Sequence, residues 1–138
     1  MGDTDNRASM RSRLRLYPLW YGLGALMLLL VAVLSLVPVP EEIGVDDKLA
    51  HTVTYFILAG WFSLLASHRE ALGWTFAGLL AYGMAIELLQ GMTAYRFAEW
   101  GDVVANGTGI AAGMLLYLTP LPRVLRLVDR NLARILQE

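Results

Sequence analysis

The chain has 138 residues, of which 57% are hydrophobic and 17% charged, and its mean hydropathy is +0.51. Soluble domains carry about 25% charged residues, so this composition excludes an ordinary soluble domain and indicates a small integral membrane protein. Eleven Lys and Arg against twelve Asp and Glu exclude a basic surface for nucleic acid, and the absence of cysteine excludes disulfides, thiolate metal sites and a cysteine nucleophile.

Four apolar segments follow one another along the chain, and each is predicted to be a helix because backbone groups in lipid must be satisfied within the segment. Residues 19–37 contain no charge and, at about 1.5 Å per residue, are long enough to span the hydrocarbon layer. Arginines precede this segment as in a secretory signal, but no cleavage pattern follows it, so a retained anchor is expected. The other segments are residues 49–67, 71–91 and 103–118.

The distribution of positive charge predicts the orientation of these helices, because cytoplasmic loops are rich in Lys and Arg. Nine of the eleven basic residues lie before the first segment, between the second and the third, or after the fourth: Arg7, Arg11, Arg13, Arg15, Arg69, Arg123, Arg126, Arg130 and Arg134. Only Lys48 and Arg96 belong to the opposite side. The sequence therefore predicts an all-α bundle of four transmembrane helices with both termini in the cytoplasm.

The end of the chain is predicted to form a basic amphipathic helix. Its four arginines are interleaved with apolar residues, a spacing that suits a helix lying on the anionic cytoplasmic leaflet, although a solvated helix would fit as well. The predicted organisation is thus a basic cytoplasmic N-terminus (residues 1–18), a four-helix membrane domain (19–118) and a cytoplasmic amphipathic tail (119–138).

Polar side chains collect at the extracytoplasmic ends of the second, third and fourth segments, where an ionisable group is costly in lipid and needs a reason. In chain order they are Asp47, Lys48, His51, Tyr55, Glu87, Gln90, Arg96, Asp102 and Asn106. Spacings of three and four residues place the members of each segment on one helix face, and the alternating helix directions bring these faces to one depth. Gly109 and Gly113 continue the stripe of the fourth segment and are expected to let it pack closely against a neighbour.

Several short motifs in this region occur in a definite order. They are DKLAH at 47–51 with Tyr55, IELLQ at 86–90, Arg96, and DVVAN at 102–106 with Gly107 and Gly109. Over residues 19–118 they resemble the VanZ-like family of membrane proteins. The resemblance implies a multi-pass protein of the bacterial inner membrane with a role in the cell envelope, since the founding member is associated with reduced susceptibility to the lipoglycopeptide teicoplanin. The aromatic segment 91–100 and the basic tail depart from the family pattern.

Three interpretations of the polar residues are open. In the first interpretation, the polar residues join the helices by ion pairs and hydrogen bonds, with Arg96 as the expected partner of Glu87. Alternatively they bind the head of an amphiphile, such as a lipid-linked envelope precursor or a lipoglycopeptide, beside the lipid bilayer. In the third interpretation His51 beside Asp47 acts as a general base on a lipid-linked substrate. The chain has no evident nucleophile and no HExxH motif, so no catalytic residue, metal or cofactor is predicted.

Overall fold

The computed structural model describes residues 14–38, 46–93 and 98–137. All regular secondary structure in this part of the chain is helical, which confirms the predicted all-α class. The helices are α1 (Tyr17–Leu36), α2 (Asp47–Leu65), α3 (Arg69–Gly91), α4 (Trp100–Met114), which continues as the 3₁₀ helix Leu115–Leu118, and α5 (Leu121–Ile135).

Helices α1 to α4 coincide with the four apolar segments, but each begins two or three residues earlier than predicted. The polar and proline residues before each apolar segment start the helix. The Asp46 carboxylate accepts a hydrogen bond from the Leu49 N–H at 2.9 Å and so caps α2. Pro18 and Pro122 lie in the first turns of α1 and α5, where a missing N–H costs nothing.

Two helices, α1 and α3, are long and apolar enough to cross a membrane, and α4 with α5 forms a third candidate that is bent by 68°. Helix α2 has 19 residues, but Asp47, Lys48 and His51 in its first turns make it more polar. Within the described residues, length and composition therefore give two to three candidate spans. The four-span arrangement and the location of the termini remain predictions.

The surface of α1 is apolar, as expected for a helix in contact with lipid. Leu26, Leu29 and Leu30 are each more than half exposed. Gly24 is the only buried residue of this helix, and it lies against the Phe62 ring of α2. Helix α1 thus packs along a narrow line and leaves most of its circumference free for lipid.

Helices α2 and α4 form the tightest pair in the bundle. A methyl group on Gly109 would overlap the carbonyl oxygen of Thr52, and one on Gly113 would overlap that of Phe56. Glycine at both positions therefore allows the two backbones to touch. Around this contact the core is formed by Tyr55, Leu58, Ala59, Leu79 and Ile110.

Side-chain to backbone hydrogen bonds attach α1 to the rest of the bundle. The Trp61 indole N–H of α2 donates to the Trp20 carbonyl at 3.2 Å, and the two rings lie 6.0 Å apart. The Tyr82 hydroxyl of α3 donates to the Leu28 carbonyl at 2.6 Å. Hydrogen bonds of this kind can hold helices together in lipid, where burial of apolar surface between helices adds little.

Helix α5 is anchored to the N-terminal end of α1 through Asp129, which is 1% exposed. Its carboxylate accepts hydrogen bonds from the N–H groups of Arg15 (2.6 Å) and Leu16 (2.9 Å) and from the Trp20 indole (2.8 Å). The first N–H groups of a helix have no partner within it, and an anion there also meets the positive end of the helix dipole. Asp129 therefore caps the start of α1 from the far end of the sequence.

Candidate functional site

The polar ends of α2, α3 and α4 meet at one end of the bundle, as the spacing and the alternating helix directions predict. His51 of α2, Glu87 of α3, and Asp102 and Asn106 of α4 form a cluster there, which we call the polar cluster. The side chains of Glu87 and Asp102 are only 6% and 5% exposed, and that of His51 is 10% exposed. Ionisable groups are thus held largely away from solvent, which requires compensating partners.

The orientation of His51 is determined by Asn106. The His51 Nδ1 lies 2.9 Å from the Asn106 amide oxygen. Because this oxygen can only accept, Nδ1 carries the hydrogen. The other ring nitrogen, Nε2, faces two carboxylates: it lies 3.7 Å from Glu87 Oε1 and 3.9 Å from Asp102 Oδ2. Helix α4 therefore fixes both the tautomer and the direction of the imidazole.

The two buried carboxylates are only partly satisfied. Glu87 Oε2 accepts the Glu99 backbone N–H at 3.1 Å. Lys48 pairs with Glu99 at 3.2 Å, and its ammonium is 3.9 Å from Asp102 Oδ1. Within residues 14–38, 46–93 and 98–137, Glu87 Oε1 and Asp102 Oδ1 are buried oxygens without a hydrogen-bond partner. Buried carboxylate oxygens of this kind favour a further donor or cation at the site.

Tyr55 and Gln90 take different places around the polar cluster. A methyl group on Gly83 would lie 2.7 Å from the Asn106 amide nitrogen and 2.9 Å from the Tyr55 hydroxyl, so glycine there lets α3 come up against both side chains. The Gln90 amide instead donates to the Ser35 carbonyl at 2.8 Å. Gln90 therefore connects α3 to the end of α1 and takes no direct part in the cluster.

Asp47, another predicted site residue, lies at the edge of this geometry. Asp47 is exposed at the start of α2, and one carboxylate oxygen each from Asp47 and Asp102, with a ring nitrogen of His51, lie within 4.8 Å of one another. Arg96 lies outside the described residues, and its ion pair with Glu87 stays a prediction.

Two cavities reach the polar cluster. The first, of about 210 Å³, lies among α1, α2 and α3 and is lined by apolar Val31, Leu34 and Ile86 and by polar Asp47, His51 and Tyr55. The second, of about 230 Å³, lies between α3 and α4 and is lined by Met84, Glu87, Leu88, Glu99, Trp100 and Val103. Both combine an apolar wall with charged or polar groups, which is the character of a site for a molecule with a polar and an apolar part.

The model of the VanZ/LLP1 family matches residues 27–125, more than two thirds of the chain. The chain belongs to the VanZ/LLP1 family. The match covers every residue of the polar cluster and confirms the family that the motifs indicate, and it ends within α5, before Asp129. Comparisons with curated proteins and with solved structures gave no match to this VanZ/LLP1 chain.

The structure adds three positions of this VanZ/LLP1 chain that the sequence analysis did not single out. Gly83 precedes Glu87 by four residues and so shares its helix face, a spacing visible in the sequence. Asp129 is the only acidic residue of α5 and lies among arginines, which also marks it as unusual. Ser35 contributes only its backbone carbonyl, and no sequence pattern could have identified that role.

Proposed function

We propose that this VanZ/LLP1 protein is a multi-pass protein of the bacterial inner membrane that binds an amphiphile near its extracytoplasmic face. In this proposal α1 to α4 each cross the membrane, both termini lie in the cytoplasm, and α5 lies along the cytoplasmic surface. The apolar exterior of α1 and the positive charge on the predicted cytoplasmic side support this arrangement. A role in the cell envelope and in teicoplanin-type resistance follows from the resemblance to the family's founding member.

The observation that carries the proposal is the cavity among α1, α2 and α3. Its polar end contains His51 and Tyr55, and its wall includes Val31 and Leu34 of the lipid-facing helix α1. A volume of about 210 Å³ is below the roughly 300–1,000 Å³ of ordinary ligand pockets. The site is therefore suited to the head and the first part of a chain, with the remainder of the amphiphile lying in the bilayer beside α1.

A purely structural role for the polar cluster is the second candidate. The hydrogen bond between His51 and Asn106 joins α2 to α4, and that between Gln90 and Ser35 joins α3 to α1. Such bonds stabilise a bundle in lipid without any ligand. The two candidate functions predict different results when the cavity is filled. Filling it should remove a bound amphiphile, but it should not change the bound lipids if the polar cluster is only structural, because a structural cluster needs no empty space beside it.

Replacing Ala50 by phenylalanine is expected to remove the bound amphiphile. Ala50 lines the cavity, and an aromatic ring there would occupy the space beside His51. Native mass spectrometry of the gently purified chain should show an isoprenoid lipid, an anionic lipid or added teicoplanin on the wild type. Its retention should fall by at least about tenfold in the Ala50→Phe variant, equivalent to roughly 1.4 kcal/mol of binding free energy.

The matched control for this substitution is Val53→Phe, which adds the same ring to the same helix. Val53 is 46% exposed and does not line this cavity, so this variant should keep the ligand. Equal melting temperatures would show that both variants fold. The same loosely held bulk lipids on all three proteins would contradict the amphiphile site and favour the structural role.

The topology predicts where reporter enzymes fused to the chain will be active. A reporter active only in the cytoplasm should work when fused after Ser67 or at the C-terminus, and a reporter active only outside the membrane should work when fused after Pro40. This outcome follows from the nine basic residues on one side. A cytoplasmic Pro40 would contradict the whole arrangement.

A further inference from the structure

We infer that the polar cluster, together with Asp47, is a binding site for a divalent transition-metal ion. One carboxylate oxygen of Asp47, one of Asp102 and a ring nitrogen of His51 lie within 4.8 Å of one another, and Glu87 Oε1 lies 3.7 Å from His51 Nε2. Imidazole nitrogen with carboxylate oxygens is a ligand set that suits Zn²⁺. The sequence alone gives no metal motif, because these ligands come from three helices.

The hydrogen bonding of His51 is that of a metal ligand. Its Nδ1–H donates to the Asn106 amide oxygen, which leaves the Nε2 lone pair directed toward Glu87 and Asp102. Metal-binding histidines usually donate their second ring N–H to a fixed oxygen, which sets their tautomer and direction. The His51 Nε2 lies beside two carboxylate oxygens, and a metal cation among the three groups would make each contact attractive.

The unpartnered oxygens give an independent reason for a cation. In the described part of the chain, Glu87 Oε1 and Asp102 Oδ1 accept no hydrogen bond although both side chains are more than nine-tenths buried. Lys48 pairs with Glu99 at 3.2 Å and lies 3.9 Å from Asp102 Oδ1, so its single charge is divided between two carboxylates. A bound cation would satisfy the two carboxylate oxygens that have no hydrogen-bond partner among the described residues.

The distances are compatible with Zn²⁺. Ligand atoms about 2.1 Å from a tetrahedral zinc lie about 3.4 Å from one another. The separations from His51 Nε2 to Glu87 Oε1 and to Asp102 Oδ2 are 3.7 and 3.9 Å. These three atoms would need to approach by a few tenths of an ångström to enter the coordination sphere, and the Asp47 oxygen, within 4.8 Å of the other ligand atoms, by up to about 1.4 Å.

A metal ion would also decide which head group the cavity takes, a consequence that rests on the proposed amphiphile site. Asp47 and His51 line the cavity among α1, α2 and α3, so the ion would lie at the polar end of that cavity. Carboxylates without a metal repel an anionic head, whereas a divalent cation held by them attracts a phosphate or carboxylate oxygen. The site would therefore prefer an amphiphile with an anionic head.

The test is zinc binding to the purified full-length chain in detergent. After removal of metals with EDTA, titration calorimetry and elemental analysis should give one Zn²⁺ per wild-type chain. Asp47→Asn and Asp102→Asn should each weaken zinc binding by at least about tenfold, because each removes a charged ligand. Asp47 is exposed at a helix start, so its variant keeps the test valid if Asp102→Asn does not fold.

Glu99→Gln is the matched control, because it removes an acidic charge next to the cluster without removing a proposed ligand atom. It should bind Zn²⁺ nearly as the wild type does. Absence of saturable binding to the wild type, or equal weakening by Glu99→Gln and Asp47→Asn, would overturn the metal site. A wild type that binds no zinc but keeps its lipid after EDTA would overturn the metal site alone. Zinc binding with lipid retained by Ala50→Phe would overturn the amphiphile site alone.

Discussion

Replacing Gly109 by alanine is expected to lower the free energy of unfolding by about 2–3 kcal/mol, as is typical when a methyl group is added to a close-packed interior. The added methyl group would overlap the carbonyl oxygen of Thr52 and lie 3.0 Å from the backbone nitrogen of Phe56. A flexible side chain could move aside, but these are backbone atoms of a regular helix. Helix α4 would therefore be pushed away from α2, and the contact between Asn106 and His51 would lengthen with it.

Gly107→Ala is the control, because it adds the same methyl group two residues away on the same helix. The nearest atom to that methyl is a Leu80 methyl at 3.9 Å, which is ordinary van der Waals contact. Since alanine favours the helix over glycine by about 1 kcal/mol, this variant should be as stable as the wild type or slightly more stable. Unfolding in detergent by titration with a denaturing surfactant would measure both. Equal stabilities would contradict the close backbone contact at Gly109.

The Asp129→Ala variant is expected to release α5 from α1 and to lower the free energy of unfolding by about 2–3 kcal/mol, because hydrogen bonds to a charged group are lost. The Arg15 and Leu16 N–H groups and the Trp20 indole would all lose their acceptor. Trypsin should then cleave within α5, because a helix released from α1 can unfold locally and fit its arginines into the protease. Arg130→Ala, which changes an exposed neighbour, should leave stability and cleavage as in the wild type.

The Asp129 carboxylate is also expected to make the attachment of α5 to α1 sensitive to acid. Burial alone would raise the pKa of Asp129, but the hydrogen bonds from Arg15, Leu16 and Trp20 outweigh it and hold the pKa below its usual value. Because the folded pKa lies below the unfolded one, Asp129 stabilises the fold at neutral pH, and this contribution is lost as the pH falls below about 4. Cleavage of α5 by pepsin, which is active in acid, should increase in the wild type as the pH falls below about 4, whereas Asp129→Ala should show no such change. Cleavage of the wild type that is independent of pH would contradict this role.

Much of the helical framework could be predicted from the sequence. Backbone groups in an apolar surrounding must bond within their own segment, so each long apolar run becomes a helix, and the observed helices begin within three residues of the predicted positions. The meeting of His51, Glu87 and Asp102 follows from the same reasoning, because helical periodicity and alternating direction bring the three ends together. The number of membrane crossings stays a prediction, since the polar residues at the start of α2 weaken its apolar character.

The choice of partners was decided only by the tertiary structure. The sequence places Asp47 one turn before His51 on the same helix. The relative rotation of α2 and α4 decides that Asn106 holds the Nδ1 of His51. Packing likewise directs Gln90 to a backbone carbonyl of α1 and buries Asp129 against the start of that helix. Sequence periodicity determines which residues share a face of one helix. The rotation and depth of one helix against another depend on the packing of the whole bundle, and they determine which of those residues form bonds.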